Sequence, residues 1–258
     1  MNSIRRTSAF SIMAGFVILF FFYHLPELFQ KVYAKPLIWL LESGMGIFLI
    51  ISYLVIRKQK GLGMKPYGLF RMNTYGINLL TGLFFGFVFF ALNTILTVLL
   101  GWNSLSLAVS WPQVVYLVLL FSIGTVLPSL AEDILTRGYI FAHWPKYTYR
   151  KWMVVFSAGL FVLNHIFKLN RPDILLYLFV LGLWLAWSLV TTGSLWLTLG
   201  IHWGTNIAYQ SFSNLVTIKT IRETGMENYL LALSYATGFL LMWLMSKTDF
   251  FGRIIRKA

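Results

Sequence analysis

Residues 113–138 read QVVYLVLLFSIGTVLPSLAEDILTRG, a long apolar run that ends in two adjacent carboxylates, Glu132 and Asp133, and an arginine, Arg137. A run of this length and apolarity reads as a membrane helix. A carboxylate or arginine at the centre of such a helix costs roughly 2.5 to 3.5 kcal/mol on the milder insertion scales, so ionisable residues persist there where they are used. The chain holds only eight acidic residues in all, and two of them stand side by side here. In helical geometry Asp133 and Arg137 are four apart and share a face, while Glu132 lies about 100° away and points elsewhere. Pro128 predicts a kink or break just before the acids.

The rest of the chain agrees with a bilayer as solvent. Of 258 residues, 58% are hydrophobic and 11% charged, and the mean hydropathy is +0.73, too little polar surface for a soluble globule. Apolar runs predict helices over 9–24, 37–56, 76–100, 113–144, 152–168, 173–191, 194–212 and 228–246. The expectation is an all-α, polytopic integral membrane protein of about eight transmembrane helices with an intramembrane polar cavity. No linker, low-complexity stretch or repeat divides residues 1–258, which read as one membrane domain whose motif-bearing core spans about 113–212. The net charge of +13 does not point to nucleic acid, because Lys and Arg gather in the short connections where they orient a membrane protein and meet anionic headgroups. Placing both termini and the connections after the second, fourth, sixth and eighth helices on one side leaves only Lys31, Lys35, Lys168, Arg171, Lys219 and Arg222 on the other. By the positive-inside rule both termini then face the cytoplasm of a bacterial inner membrane, and the cavity is expected to open there. The absence of cysteine excludes disulfides, thiolate metal ligands and a cysteine nucleophile.

Two of the four histidines lie inside apolar runs, His165 and His202. Singly, a histidine in a membrane helix is more often a helix-to-helix hydrogen-bonding residue than a catalyst. Together they matter through depth: Glu132 stands about 16 residues before the middle of the connection after its helix and His165 about 17 after it, so an antiparallel pair brings them level. His202 and Asn206, four apart, share a face of the seventh helix. Gly200 and Gly204 let a neighbouring helix approach that face closely, and Gly82 and Gly86 read as ordinary packing. An acid that takes a proton from water, two imidazoles that hold water or metal, and an amide for an oxyanion are together suited to amide hydrolysis. Two histidines and a carboxylate also make a candidate open zinc site, although no HExxH motif is present. A serine nucleophile is poorly served, since Ser194 reads as a helix N-cap. A two-aspartate mechanism finds only Asp133 in a membrane helix, Asp173 reading as a helix cap. His24 and His143 read as interfacial residues, and Trp184, Trp187, Trp196 and Trp203 are candidates to line a substrate groove.

Glu132-Asp133-x-x-x-Arg137, Phe161-x-x-x-His165 and His202-x-x-x-Asn206, in that order on successive membrane helices, resemble the three motifs of the CPBP family of intramembrane proteases. That family includes the CAAX prenyl endopeptidases and bacterial bacteriocin-processing and self-immunity proteins. The resemblance implies an intramembrane, glutamate-dependent endopeptidase, a metalloprotease where zinc is used, acting on membrane-associated peptides or protein C-terminal ends. It implies that Glu132 activates the hydrolytic water, that His165 helps bind that water or a metal, and that His202 and Asn206 position water and stabilise the oxyanion. Arg137, Asp133 and Phe161 would support them, and any Zn2+ would rest on His165 and His202. The departure is Asp133, where the family usually has a second glutamate; one methylene less shortens its reach. Two readings of other classes remain beside this one: a non-catalytic membrane interaction or immunity protein, and a proton-coupled transporter.

Overall fold

The computed structural model describes residues 7–33, 38–70, 72–144, 150–165, 168, 170–248 and 255. Arg5, Arg6, Lys35, Arg71, Arg253, Arg256 and Lys257, which contribute to the charge pattern above, lie outside these residues. The helices are α1 (Ala9–Tyr33), α2 (Ile38–Lys60), α3 (Met72–Leu99), α4 (Trp111–Asp133), α5 (Tyr139–His143), α6 (Arg150–Asn164), α7 (Pro172–Thr192), α8 (Leu195–Asn214) and α9 (Glu227–Met245). A π-helical turn, Ile134–Gly138, joins α4 to α5 so that the three form one rod. Each of the eight predicted helices has a counterpart among these rods, but α1 runs to Tyr33, past the expected end at 24, with Pro26 inside it, and α6 ends at Asn164, short of the expected 168. Among the described residues six of them are long and apolar enough to cross a membrane. The other two are α6, which at 15 residues spans only about 22 Å, and α8, whose 20 residues are interrupted by Thr198, His202, Thr205, Asn206 and Gln210.

The sequence reading contains no strand, yet Asn103–Leu107 (β1) and Val216–Thr220 (β2) pair antiparallel, Leu105 opposite Ile218. They extend the chain past the ends of α3 and α8, so this ribbon marks one end of the bundle. The opposite end carries the α2–α3 connection and the α7–α8 hairpin. Gly193, at φ +69°, turns that hairpin in the left-handed region that glycine tolerates. Ser194 then caps α8 by accepting from Trp196 N–H, as its sequence context predicts.

Helices α3 and α8 pack along their length through facing glycines. A methyl group added at Gly82 or Gly86 would collide with the backbone at Leu197 and Ile201, and one at Gly200 or Gly204 with that at Leu79 and Leu83. Both glycine pairs therefore belong to one close crossing, the arrangement in which van der Waals contact substitutes for a hydrophobic driving force in lipid. Two apolar clusters flank the site. One, with Leu19, Phe48, Tyr67, Ile134, Tyr139 and Leu195, fills the end opposite the ribbon. The other, with Phe89, Phe161, Trp184, Leu197, Ile201 and Tyr235, joins α3, α6, α7, α8 and α9. Tyr67, outside the spans, donates to Ser52 O at 3.1 Å, and burial pushes its hydroxyl well above the usual phenol range.

Candidate active site

The expected break at Pro128 is absent: α4 runs unbroken through it. The irregularity comes later, as the π turn directly after Asp133, where Tyr139 N–H reaches back to Ile134 O. Turns of this kind recur at functional sites because they re-aim side chains within a continuous helix. The turn is held from two sides. Thr136 Oγ1 donates to Glu132 O at 2.7 Å, and Ser157 on α6 donates to Thr136 O at 2.9 Å.

The acids, histidines and arginine meet just before this turn. Asp133 and Arg137, both with fully buried side chains, form a direct ion pair. The same Asp133 oxygen, Oδ1, lies 2.9 Å from His202 Nδ1. A carboxylate only accepts, so Nδ1 carries the hydrogen, and in the neutral form of the ring Nε2 is then the acceptor. That Nε2 lies 3.6 Å from Glu132 Oε2. On the other side of Glu132, His165 Nδ1 lies 3.9 Å from Oε1 and donates to Phe161 O at 2.8 Å. The Phe161 ring sits among all three partners: its centroid is 5.0 Å from that of His165, 5.7 Å from that of His202, and 4.8 Å from the Arg137 guanidinium carbon, a cation–π geometry. Asn206 donates to Ser129 Oγ at 2.9 Å, one turn before Glu132. All seven residues singled out in the three motifs therefore converge.

Two further residues reach Glu132 that sequence reasoning missed. Asn164 Nδ2 donates to Glu132 Oε1 at 2.8 Å, and His24 on α1 donates through Nε2 to Asn164 Oδ1 at 3.0 Å. His24 is 7% exposed and is a buried member of the site rather than an interfacial residue. The available signal was an imidazole within the apolar run of α1 and an amide adjoining His165.

Glu132, His165, His202 and Asn206 line a cavity of about 430 Å³. Its walls continue through Phe90, Thr97, Tyr209 and Phe212 to Asn103 and Ile218 at the ribbon. The mouth is therefore at the ribbon end, whereas the sequence reading has it at the end carrying the termini. Depth along a helix does not reveal that Tyr67, Tyr139 and Leu195 pack together on the other side of the site. Trp184, Trp187, Trp196 and Trp203 do not line the cavity. Trp184 is buried against Met242, and Trp196 and Trp203 donate to Phe70 O and Ser122 O, tying α8 to its neighbours. Ser194 is spent on its cap. Asp173 stands in the first turn of α7 rather than at its cap, and it accepts from Arg171 and Asn228.

Comparison with curated proteins and with solved structures returned no match. Residues 110–208, the segment that holds every motif residue described above, match the family model described as Type II CAAX prenyl endopeptidase Rce1-like, a likeness consistent with the resemblance of the three motifs to the CPBP family of intramembrane proteases.

Proposed function

We propose that the protein is an intramembrane endopeptidase in which Glu132 activates water for attack on a peptide carbonyl. The observation that supports this most strongly is the setting of one carboxylate at the inner end of a cavity, between two imidazoles at 3.6 and 3.9 Å. The gap between His202 Nε2 and Glu132 Oε2 is too long for a direct hydrogen bond and suits a bridging water. Glu132 takes a proton from that water as its oxygen bonds the carbonyl carbon. The same proton then passes to the amine as the carbon–nitrogen bond breaks. His165 and His202, each with Nδ1–H committed to a fixed acceptor, orient the water through their Nε2 lone pairs. Asn206 spends one amide hydrogen on Ser129 and offers the other to the oxyanion. Asp133 holds the His202 tautomer, and Arg137 and Phe161 hold Asp133 and the rings in place.

Zinc accepts these ligand types, but the donor set as arranged does not fit a bound ion. His165 meets Glu132 with the nitrogen it already uses on Phe161 O, and among the described residues no group of three His, Asp or Glu side chains is spaced to hold a metal. The proposed chemistry accordingly runs through Glu132 and water alone. The substrate is a membrane-associated peptide or protein segment, and the proposed location is a bacterial inner membrane with both termini in the cytoplasm. The test is cleavage of membrane-anchored peptides by purified protein in nanodiscs. Glu132→Gln is expected to lower the rate by about 10² to 10⁴ with the fold intact, and extended dialysis against a chelator is expected to leave wild-type cleavage unchanged. Wild-type rates in Glu132→Gln would refute the proposal in favour of a non-catalytic partner. Loss on chelation that Zn2+ restores would bring a metal into the mechanism.

A further inference from the structure

Resting on the peptidase reading, we infer that Asn93 on α3 is a substrate-binding residue. Its side-chain oxygen accepts a main-chain N–H of an extended polypeptide, about two residues from the bond that Glu132 attacks. The state of that oxygen and its height in the cavity carry the inference.

Asn93 is 9% exposed and lines the cavity, yet its Oδ1 is buried without a hydrogen-bond partner. Among the described residues that line the cavity, no other side chain has such an atom. The polar groups around it are spent elsewhere. Thr97 donates to Thr94 O at 2.8 Å, Thr205 to Gly86 O at 3.4 Å, Asn206 to Ser129 Oγ at 2.9 Å and Asn228 to Asp173 at 2.7 Å. A buried acceptor with no donor is costly and uncommon in folded proteins. No bond fixes the Asn93 carboxamide at that oxygen, and torsion about its Cβ–Cγ bond is soft, so a donor entering the cavity draws Oδ1 towards itself.

The height of Asn93 follows from the glycine crossing. Gly82 meets Leu197 and Gly86 meets Ile201, so α3 and α8 run in the same direction, and Gly82 faces Gly200. Eleven residues on from each of that pair, Asn93 stands level with Ser211, five residues or about 7.5 Å beyond Asn206. An extended chain advances about 3.3 Å per residue. A polypeptide whose carbonyl is held at Glu132, His202 and Asn206 therefore passes Asn93 with the residue about two positions away, and the N–H of that residue needs an acceptor once it has left water. The contact carries a specificity rule, since proline has no N–H to donate and is disfavoured at that position of the substrate. A purely structural role would instead have Asn93 serve Ser211, whose buried hydroxyl also lacks a partner, across the crossing.

The test uses the full protein in nanodiscs and a membrane-anchored peptide prepared as a series, with one main-chain nitrogen methylated at a time. In wild type, methylation about two residues from the cleaved bond is expected to raise KM about tenfold, with kcat within about twofold. Asn93→Leu is expected to raise KM for the unmodified peptide by a similar factor and to be indifferent to that methyl group. It is also expected to melt at or above the wild-type temperature, because it removes an unpaired buried acceptor. Fluorescence anisotropy of the labelled peptides on Glu132→Gln, with and without Asn93→Leu, reports the same contact without turnover. A methyl scan of wild type with no such position, or a penalty that persists in Asn93→Leu, would overturn the inference. So would a lower melting temperature with unchanged KM, which would assign Asn93 to the crossing with Ser211. Absence of cleavage by wild type, with binding that still depends on Asn93, would refute the peptidase reading and leave the subsite standing; binding that is absent from Glu132→Gln as well would overturn both.

Discussion

Replacing Asp133 by asparagine separates two roles that the structure gives one oxygen. Oδ1 pairs with Arg137 and accepts from His202 Nδ1 at 2.9 Å. Both ion-pair side chains are at 0% exposure, and removing one partner of a buried pair leaves an uncompensated charge that costs about 3 to 5 kcal/mol. For a chain of this size that corresponds to a loss of roughly 10 °C in melting temperature. The second effect is chemical. An uncharged amide no longer selects the Nδ1–H tautomer of His202, so Nε2 is no longer held as the acceptor facing Glu132, and peptide cleavage is expected to fall by about 10² or more. Adding Arg137→Met to Asp133→Asn removes the stranded charge, and apolar replacements of buried pairs are often neutral in stability. The double variant is therefore expected to recover most of the melting temperature and little of the activity. Thermal unfolding in detergent and cleavage of an anchored peptide measure the two quantities on the same samples. Recovery of activity along with stability would refute the argument, because Asp133 would then serve only to neutralise Arg137. An unchanged melting temperature in Asp133→Asn alone would refute the ion-pair half of it.

Other expectations follow from the same geometry. Gly86→Val places a side chain against the Ile201 backbone and is expected to destabilise the α3–α8 crossing by about 1 to 3 kcal/mol. Gly46→Ala, which meets nothing within 4 Å, is expected to be neutral or to stabilise by up to about 1 kcal/mol; equal melting temperatures for the two variants would contradict the packing described. His24→Leu removes the donor that holds Asn164 against Glu132 and is expected to lower kcat about tenfold, from the roughly 1 to 3 kcal/mol cost of a buried acceptor left without its partner. KM for an anchored peptide is expected to hold in that variant, and a raised KM at constant kcat would show that His24 acts on substrate binding instead.

The motif residues were legible because lipid makes them conspicuous. Glu132, Asp133 and Arg137 stand out where an unused charge is costly, and His202 with Asn206 shares a face by helical period alone. Helix positions were legible for a related reason: a membrane helix satisfies its own backbone, so apolar length suffices to locate it, although α1 runs through Pro26 to Tyr33, past its expected end. What the sequence obscured depends on neighbours far along the chain. The His24–Asn164 bond joins residues 140 positions apart, and no local pattern marks an amide as the partner of a carboxylate on another helix. No break forms at Pro128, because α4 continues through that proline and the departure from α-helical pairing falls at the π turn, where α6 supplies Ser157 to Thr136 O. The tryptophans were misplaced as groove residues because ring size says nothing of direction, and the N–H groups of Trp196 and Trp203 found partners inside the bundle.

Composition and hydrophobic period, by themselves, determined that this chain is a bundle of membrane helices, that Glu132, Asp133, Arg137 and His202 sit inside them, and that three motifs fall in order on three of those helices. Those are consequences of solvent and local geometry, which act residue by residue. Tertiary packing alone decided that one Asp133 oxygen serves both Arg137 and His202, that α1 reaches Glu132 through Asn164, and that the cavity opens at the ribbon end. Each of these depends on the relative rotation and depth of several rods, and no single helix carries that information.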